Sequence, residues 1–291
     1  MFRKLAYINL VLQKTLVRVL SAFVWSSKKA RKDFGKRLMT SVIKNYLKRY
    51  LPAIEDIKSS EEKKSAKKIW VCWLQGEKNA PEIVKKCIES VRNHSNGYSV
   101  IVVDNSNIEQ FVSLPDYIYK KLEKGYISNT HFSDILRVAL LSQNGGIWID
   151  ATVLLTGNLP DEITKSPFFA WHSNSYVKNN NWLLASSPNH PLTNSIKALL
   201  LEYWKYENKT INYFFYHMFF DLMLEKKPQL LKEWEKVPVL YDTDCYDMPM
   251  ITKYNSDRWL EITAKNSVHK LSYRYDKTAN INGTFLEKIL A

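Results

Sequence analysis

The chain has 291 residues, 45% of them hydrophobic and 13% aromatic, with 42 Lys+Arg against 29 Asp+Glu for a net charge of +13. That is enough apolar material for the core of one large domain or two small ones, so a chain disordered throughout is excluded. Eight Gly and ten Pro exclude collagen-like or low-complexity sequence, and three scattered cysteines (Cys72, Cys87, Cys245) without a CxxC argue for a reducing, cytosolic setting.

The basic excess lies at the N-terminus. Residues 1–68 carry 18 Lys+Arg and 5 Asp+Glu, which leaves 24 of each sign over residues 69–291. Leu5, Ile8, Leu12, Leu16, Val19, Leu20 and Phe23 recur at three- and four-residue steps and predict an amphipathic helix. Lys14 and Arg18 interrupt it, so no uncharged run exceeds nine residues, and a spanning helix needs about 20 apolar residues. No small-residue cleavage site follows it, unlike a signal peptide. Phe23, Trp25 and the basic cluster from Lys28 to Arg37 suit a helix lying on an anionic membrane surface at the inner face of the cell membrane. A helical appendage packed on the core is the alternative, and nucleic acid is not expected as a partner because the apolar face would have no role there. Residues 1–55 are thus expected to form a basic helical membrane-associating segment, 56–68 a linker, and 69–291 the main domain.

In the main domain IWVCWL (69–74) and SVIVVD (99–104) read as buried strands around a helix, Ala80 to Asn93, whose apolar face is Ile83, Val84, Cys87, Ile88 and Val91. Strand, helix, strand predicts an α/β domain with a mostly parallel sheet flanked by helices. A helix follows over His131 to Asn144, then Gly145 and Gly146, then the strand IWID (147–150). Phe168 to Trp171 and Trp182 to Ala185 read as strands, Pro191 to Tyr206 and Ile211 to Leu224 as helices. No Walker loop, GxGxxG or GxSxG occurs.

The stretch HFSDILRVALLSQNGGIWIDATV (131–153) carries the chemistry. Asp134 and Arg137 share one edge of the helix, and the glycine pair turns the chain sharply. Asp134 lies roughly 16 Å back along the helix from Gly145 at about 1.5 Å per residue, and the strand returns roughly 13 Å to Asp150 at about 3.3 Å per residue. If the chain reverses there, two carboxylates and a guanidinium converge at a strand end, where open α/β sheets bind ligands. Taken singly, an i,i+3 surface pair and a turn aspartate would explain them as well.

The run S-D-I-L-R…N-G-G-I-W-I-D-A-T resembles the bacterial capsular polysaccharide synthesis proteins, relatives of glycosyltransferase family 32 and, more distantly, of the glucosyltransferase domains of clostridial toxins. The resemblance covers roughly residues 66–275. It implies a GT-A-like (Rossmann-like) fold, a UDP- or GDP-sugar donor, a divalent metal (Mn²⁺ or Mg²⁺) and retention of configuration. The implied activity is hexosyl or N-acetylhexosaminyl transfer to a lipid-linked glycan acceptor, in capsule or surface polysaccharide synthesis. The alternative is a non-catalytic nucleotide- or glycan-binding protein on a degenerate GT-A fold.

By the same resemblance Asp134, Arg137 and Asp150 are the catalytic group, Asp134 and Arg137 holding the donor sugar's hydroxyls. Asp150 matches the first aspartate of a DxD motif near the ribose, sugar and metal. Trp73 matches a base-stacking tryptophan, with core packing beside Trp70 as the other explanation. Thr152 replaces the second aspartate, and a hydroxyl is a poor ligand for a hard cation. His269, in VHKLSYR (268–274), matches a position that reaches metal or diphosphate, and Lys270 and Arg274 are cations suited to phosphate. Tyr213, His217 and Asp221, spaced four apart, share a helix face and read as a polar stripe, with His217 or Asp221 as a contact to acceptor or donor and Asp221 as the one candidate general base for an inverting enzyme. Asn180, Asn181 and Trp182 are candidates for an acceptor cleft, and Asp104 for a nucleoside contact or a simple turn. His94, His131, His172 and His190 have no metal-like spacing.

Overall fold

A computed structural model describes residues 2–22, 28–54, 67–173 and 177–291. Two apolar runs rich in β-branched and aromatic residues open the main sheet: β1 (Lys68–Cys72) and β2 (Ser99–Val103) lie parallel, with Trp70 opposite Ile101. Such side chains suit a pleated surface covered on both faces. Between the strands runs a crossover helix, called α3 (Glu82–Asn93) because two helices precede it: α1 (Phe2–Ala22) and α2 (Lys28–Leu47). All five apolar positions expected to face the core along α3 are buried.

The short helices α4 (Ile108–Phe111) and α5 (Asp116–Glu123) lead to α6 (Asn129–Asn144), which enters β3 (Gly146–Ile149) through the glycine pair. Both glycines have positive φ, +67° at Gly145 and +105° at Gly146. A Cβ at Gly146 would sit 2.6 Å from the Lys68 carbonyl oxygen, so the close approach of β3 to β1 requires glycine there. Beyond β3 come β4 (Val153–Leu155), α7 (Asp161–Thr164), β5 (Phe168–His172) and β6 (Asn179–Ser186). They are followed by α8 (Pro191–Tyr206), α9 (Phe215–Lys226), α10 (Pro228–Trp234), α11 (Ser256–Lys265), β7 (Val268–Lys270) and α12 (Phe285–Leu290).

The main sheet runs β2-β1-β3-β6-β5. Only β2-β1 and β1-β3 are parallel; β3-β6 and β6-β5 are antiparallel, so the sheet is mixed and not mostly parallel. The reason is connection length. Residues 173–178 alone separate β5 from β6, and a parallel crossover needs about a dozen residues or more. A second, two-stranded sheet pairs β4 with β7 antiparallel, Val153 opposite Lys270.

Helix α6 is buried nearly all round, from His131 to Ser142, between the sheet and α8. A helix with no solvent face carries polar side chains only where they find partners inside. Helix α9 is equally enclosed, and it begins at Phe215, so exposed Tyr213 lies before it and does not share a helix face with His217 and Asp221.

The N-terminal part does not stay apart from this core. Ile43, Tyr46, Leu47, Tyr50 and Ile54 are buried in the same cluster as the sheet. The Tyr46 and Tyr50 hydroxyls both donate to Glu207, at 2.6 and 2.5 Å, and Lys44 reaches Asp221 at 3.3 Å. The main domain therefore includes the second half of α2, against the expected boundary at 69. On α1 the inward contacts are Leu10, Val17 and Lys14, whose ammonium donates to the Ile211 carbonyl. The expected apolar arc faces outward: Ile8, Leu12, Leu16, Val19 and Leu20, with Val11, are 45% to 64% exposed. Phe23, Trp25 and most of the expected linker lie outside the described residues.

Candidate functional site

The sheet order reverses between β1 and β3: β2 lies beyond β1 on one side and the later strands lie beyond β3 on the other. In an open α/β sheet the carboxyl ends of two such strands flank a crevice that side chains from the following loops can line. Trp73 follows β1 at this point and Asp150 follows β3.

The reversal at the glycines returns Asp150 to the level of α6, and the three ionic side chains meet. Arg137 Nη2 lies 3.3 Å from Asp134 Oδ1 and 3.4 Å from Asp150 Oδ1. Asp134 and Arg137 are buried, whereas the Asp150 side chain is 25% exposed, so the group opens to solvent through Asp150. Arg137 is fixed from several sides: it donates to the Ser133 carbonyl and hydroxyl at 3.2 Å and to the Asn181 carbonyl, and its guanidinium lies 5.1 Å from the Trp148 ring centroid. Asn181 also donates from Nδ2 to Asp134 Oδ1 at 2.9 Å. Asn181 thus braces the buried ion pair. Asn180 donates to Asp242, and Trp182 stacks on Trp171 while its carbonyl accepts from the Asp150 backbone N–H.

The two carboxyls are pushed in opposite directions. Burial raises Asp134 above the ordinary carboxylate range, and the Arg137 charge offsets that only in part. Burial also acts upward on Asp150, but the Lys270 ammonium, the Arg137 guanidinium and the Trp148 N–H outweigh it and hold Asp150 below that range. Two nearby carboxyls separated in this way suit different tasks, one a constant anion and one a group that tolerates neutrality.

Lys270 reaches the cluster from the far end of the chain. The β4-β7 register sets it beside Val153, and the Leu271 N–H bonds to the Thr152 carbonyl at 2.9 Å. Its Nζ lies 3.0 Å from Asp150 Oδ2 and 2.6 Å from Thr152 Oγ1. Successive residues of a strand face opposite ways, so His269 points away from Asp150. It is fully buried, its Nε2 lies 3.0 Å from Thr156 Oγ1, and burial pushes it down to about 4. The structure does not bring His269 to Asp150. Nor does it bring Arg274, which is exposed with its guanidinium over the Tyr273 ring.

Trp73 meets Tyr273 edge-on, ring centroids 5.5 Å apart, and its indole N–H has no hydrogen-bond partner among the described residues. Next to it a cleft of about 870 Å³, lined by Gly76, Glu77, Asn79, Arg92 and Asp104, opens beyond the ends of β1 and β2. Asp104 closes the turn after β2 by accepting from the Ser106 N–H and hydroxyl, and it also forms part of the cleft wall. Asp221 is spent elsewhere, bound by Lys44 and by the Lys178 N–H.

Two contributors escape a reading of the sequence. Trp148 donates to Asp150 Oδ1, and its signal was the two-residue spacing, which at the end of an extended segment turns both side chains the same way. Tyr216, fully buried on α9, is pushed up first by burial, with the Arg137 charge acting downward and the Asp134 charge upward, and nothing local in NYFFYHM marks it.

The residues do not fit the divalent metal that the resemblance implies. Both Asp150 oxygens and the Thr152 hydroxyl already face cationic or N–H donors. Among the described residues no group of three or more His, Cys, Asp or Glu is placed to hold one ion.

Comparison with known proteins adds the following. Residues 22–289 match the family described as "Capsular polysaccharide synthesis protein". An uncharacterized glycosyltransferase of Acanthamoeba polyphaga mimivirus is 29% identical over 125 residues, 41% of this chain and 49% of that protein. The glycosyltransferase afumC of Aspergillus fumigatus is 28% identical over 137 residues, 44% of this chain and 33% of that protein. The chain thus spans about half of the first relative and a third of the second. Among solved structures the PaToxG glycosyltransferase aligns with a TM-score of 0.43 and 15% identity over 77% of this chain and 91% of that one.

Proposed function

The chain belongs to the capsular polysaccharide synthesis protein family, and from that premise we propose that it is a glycosyltransferase that moves a hexosyl or N-acetylhexosaminyl group from a UDP- or GDP-sugar to a lipid-linked glycan acceptor. The observation that carries this reading is the single guanidinium of Arg137 between Asp134 and Asp150 at the crevice between β1 and β3. Carboxylates pinned by a buried cation keep one orientation, and oriented acceptors are what sugar hydroxyls need to be held against a nucleophile.

In the proposed reaction the acceptor hydroxyl oxygen bonds to the anomeric carbon as the bond from that carbon to the diphosphate oxygen breaks. The bonding pair leaves on the phosphate oxygen, and the acceptor's proton passes to that oxygen. Asp150 stays ionised throughout, which suits holding and charge work and not proton transfer. Asp221, engaged by Lys44 and Lys178, is not free to act as a general base. Transfer of the acceptor proton to the leaving group goes with retention of configuration, the outcome that the family resemblance implies.

The test is release of nucleoside diphosphate from a panel of UDP- and GDP-sugars by wild type and Asp150→Ala. Turnover with one donor, lost in the variant, is expected. No turnover with any donor, together with retained nucleotide binding, would favour a non-catalytic binding protein.

We also propose that the protein works at an anionic membrane surface. The outward apolar stripe of α1 and the basic residues from Lys28 to Arg37 support this. Among the described residues no helix is long and apolar enough to cross a membrane.

A further inference from the structure

Departure of a nucleoside diphosphate concentrates negative charge on the oxygen that leaves, and something positive must be in place when it does. Between Asp150 and Thr152, the two residues that the resemblance matches to a DxD motif, lies an ammonium group. Lys270 Nζ lies 3.0 Å from Asp150 Oδ2 and 2.6 Å from Thr152 Oγ1. An ammonium has three N–H donors and two of them are used among the described residues, which leaves one for a ligand, and the Lys270 side chain is 19% exposed.

The surroundings fit that assignment. Thr152 accepts from Lys270 without adding a second negative charge, and Asp150 alone anchors the ammonium. Arg137 lies on the other Asp150 oxygen, so the carboxylate is shared between a buried cation that orients it and a partly exposed one. Lys270 is set by the backbone and not only by its flexible stem: the β4-β7 register and the Leu271 N–H to Thr152 carbonyl bond place its Cα beside the Asp150–Val153 turn.

We propose that Lys270 is the charge-neutralising group for the departing diphosphate, so that transfer proceeds without a divalent metal. The inference rests on the nucleotide-sugar reading given above. As the anomeric carbon–oxygen bond breaks, its electron pair settles on the diphosphate oxygen, and the free N–H of Lys270 donates to that diphosphate. The ammonium keeps its proton; the acceptor's proton leaves on the diphosphate.

The experiment uses the full chain in EDTA and in Mn²⁺, with UDP- and GDP-sugars, comparing wild type, Lys270→Met, Lys270→Arg and the double variant Lys270→Met/Thr152→Asp. Wild type is expected to turn over in EDTA within about twofold of its rate in Mn²⁺. Lys270→Met, which keeps the stem, should lose about a hundredfold or more in kcat, the usual cost of one charge-stabilising donor, and Lys270→Arg should recover part of it. The double variant, with two carboxylates and no ammonium, should regain activity only with Mn²⁺. Abolition of wild-type turnover by EDTA, or a Lys270→Met rate within threefold of wild type, overturns the proposal and leaves the transferase reading standing. If no donor turns over, UDP and GDP binding is measured by calorimetry in EDTA. Binding in EDTA weakened at least tenfold by Lys270→Met supports the contact of the ammonium with the diphosphate, while the missing turnover overturns its role in transfer together with the transferase reading. Binding that needs Mn²⁺, or is unchanged in the variant, overturns that contact too, and absence of binding under both conditions overturns it together with the transferase reading.

Discussion

The indole N–H of Trp148, in β3, donates at 2.9 Å to Oδ1 of Asp150, the residue that follows the strand. A donor that favours the ionised carboxyl keeps its pKa low, so Trp148→Phe should raise Asp150 and move the acid limb of the activity profile to higher pH. Because Trp148 is buried, the smaller ring should also cost about 1–3 kcal/mol. The check is kcat/KM against pH, with denaturant unfolding measured alongside. An unmoved acid limb would show that the indole only fills space.

Arg137 is the shared partner of two carboxylates inside the fold. Arg137→Met should destabilise the protein by about 3–5 kcal/mol, the cost of leaving buried charge without its partner. Asp134→Asn should cost clearly less, since burial already pushes that carboxyl toward its neutral form. Urea midpoints of both variants and of the double variant measure the coupling. Equal losses in the two single variants would contradict this ordering.

At Gly146 the backbone of β3 passes so close to Lys68 that an added methyl would meet its carbonyl at 2.6 Å, in a conformation that side-chain-bearing residues avoid. Gly146→Ala should destabilise by about 2–4 kcal/mol and loosen the β1-β3 pairing. Gly97→Ala also has positive φ but nothing near its Cβ, so it isolates the backbone contribution, about 1 kcal/mol. Equal losses at both positions would mean that the close approach to Lys68 is not limiting.

Burial holds three imidazoles far below their usual range, His190 and His269 to about 4 and His217 to about 3. The unfolded chain protonates them near 6.5, so below that pH the unfolded state binds more protons and stability falls as pH drops toward 4. When the loss is complete, His190 and His269 each contribute roughly 3 kcal/mol and His217 roughly 5 kcal/mol. His269→Gln should flatten the slope between about pH 6.5 and 4 relative to wild type, and calorimetric melting across that range measures it. Parallel curves would remove His269 from the account.

The outward stripe of α1 gives a surface prediction. Leu12→Asp together with Leu16→Asp should abolish sedimentation with vesicles containing phosphatidylglycerol and leave the melting temperature within about 2 °C, because both side chains are exposed. Undiminished sedimentation would contradict a membrane role for that stripe.

What could be read from the residues alone was whatever is local. The apolar face of α3, the turn at Gly145 and Gly146 and the strand ending before Asp150 are set by spacing and by backbone conformations available to glycine. Their rise per residue was enough to bring Asp150 back to Arg137. The hidden part depends on pairing distant segments. The antiparallel β6 follows from a connection between β5 and β6 that no periodicity announces, and the β4-β7 register decides that Lys270, and not His269, faces Asp150. The apolar stripe of α1 was visible but its direction was not, since an amphipathic pattern says which residues lie together and not whether protein or solvent lies over them.

The bond from Tyr46 and Tyr50 to Glu207 has a practical consequence for anyone trimming the gene. A start codon placed after residue 55, at the apparent composition break, would strip Ile43, Leu47 and Tyr50 from the interior and strand an acidic side chain at the end of α8. Soluble expression should therefore tolerate removal of α1 and fail once the cut passes Ile43.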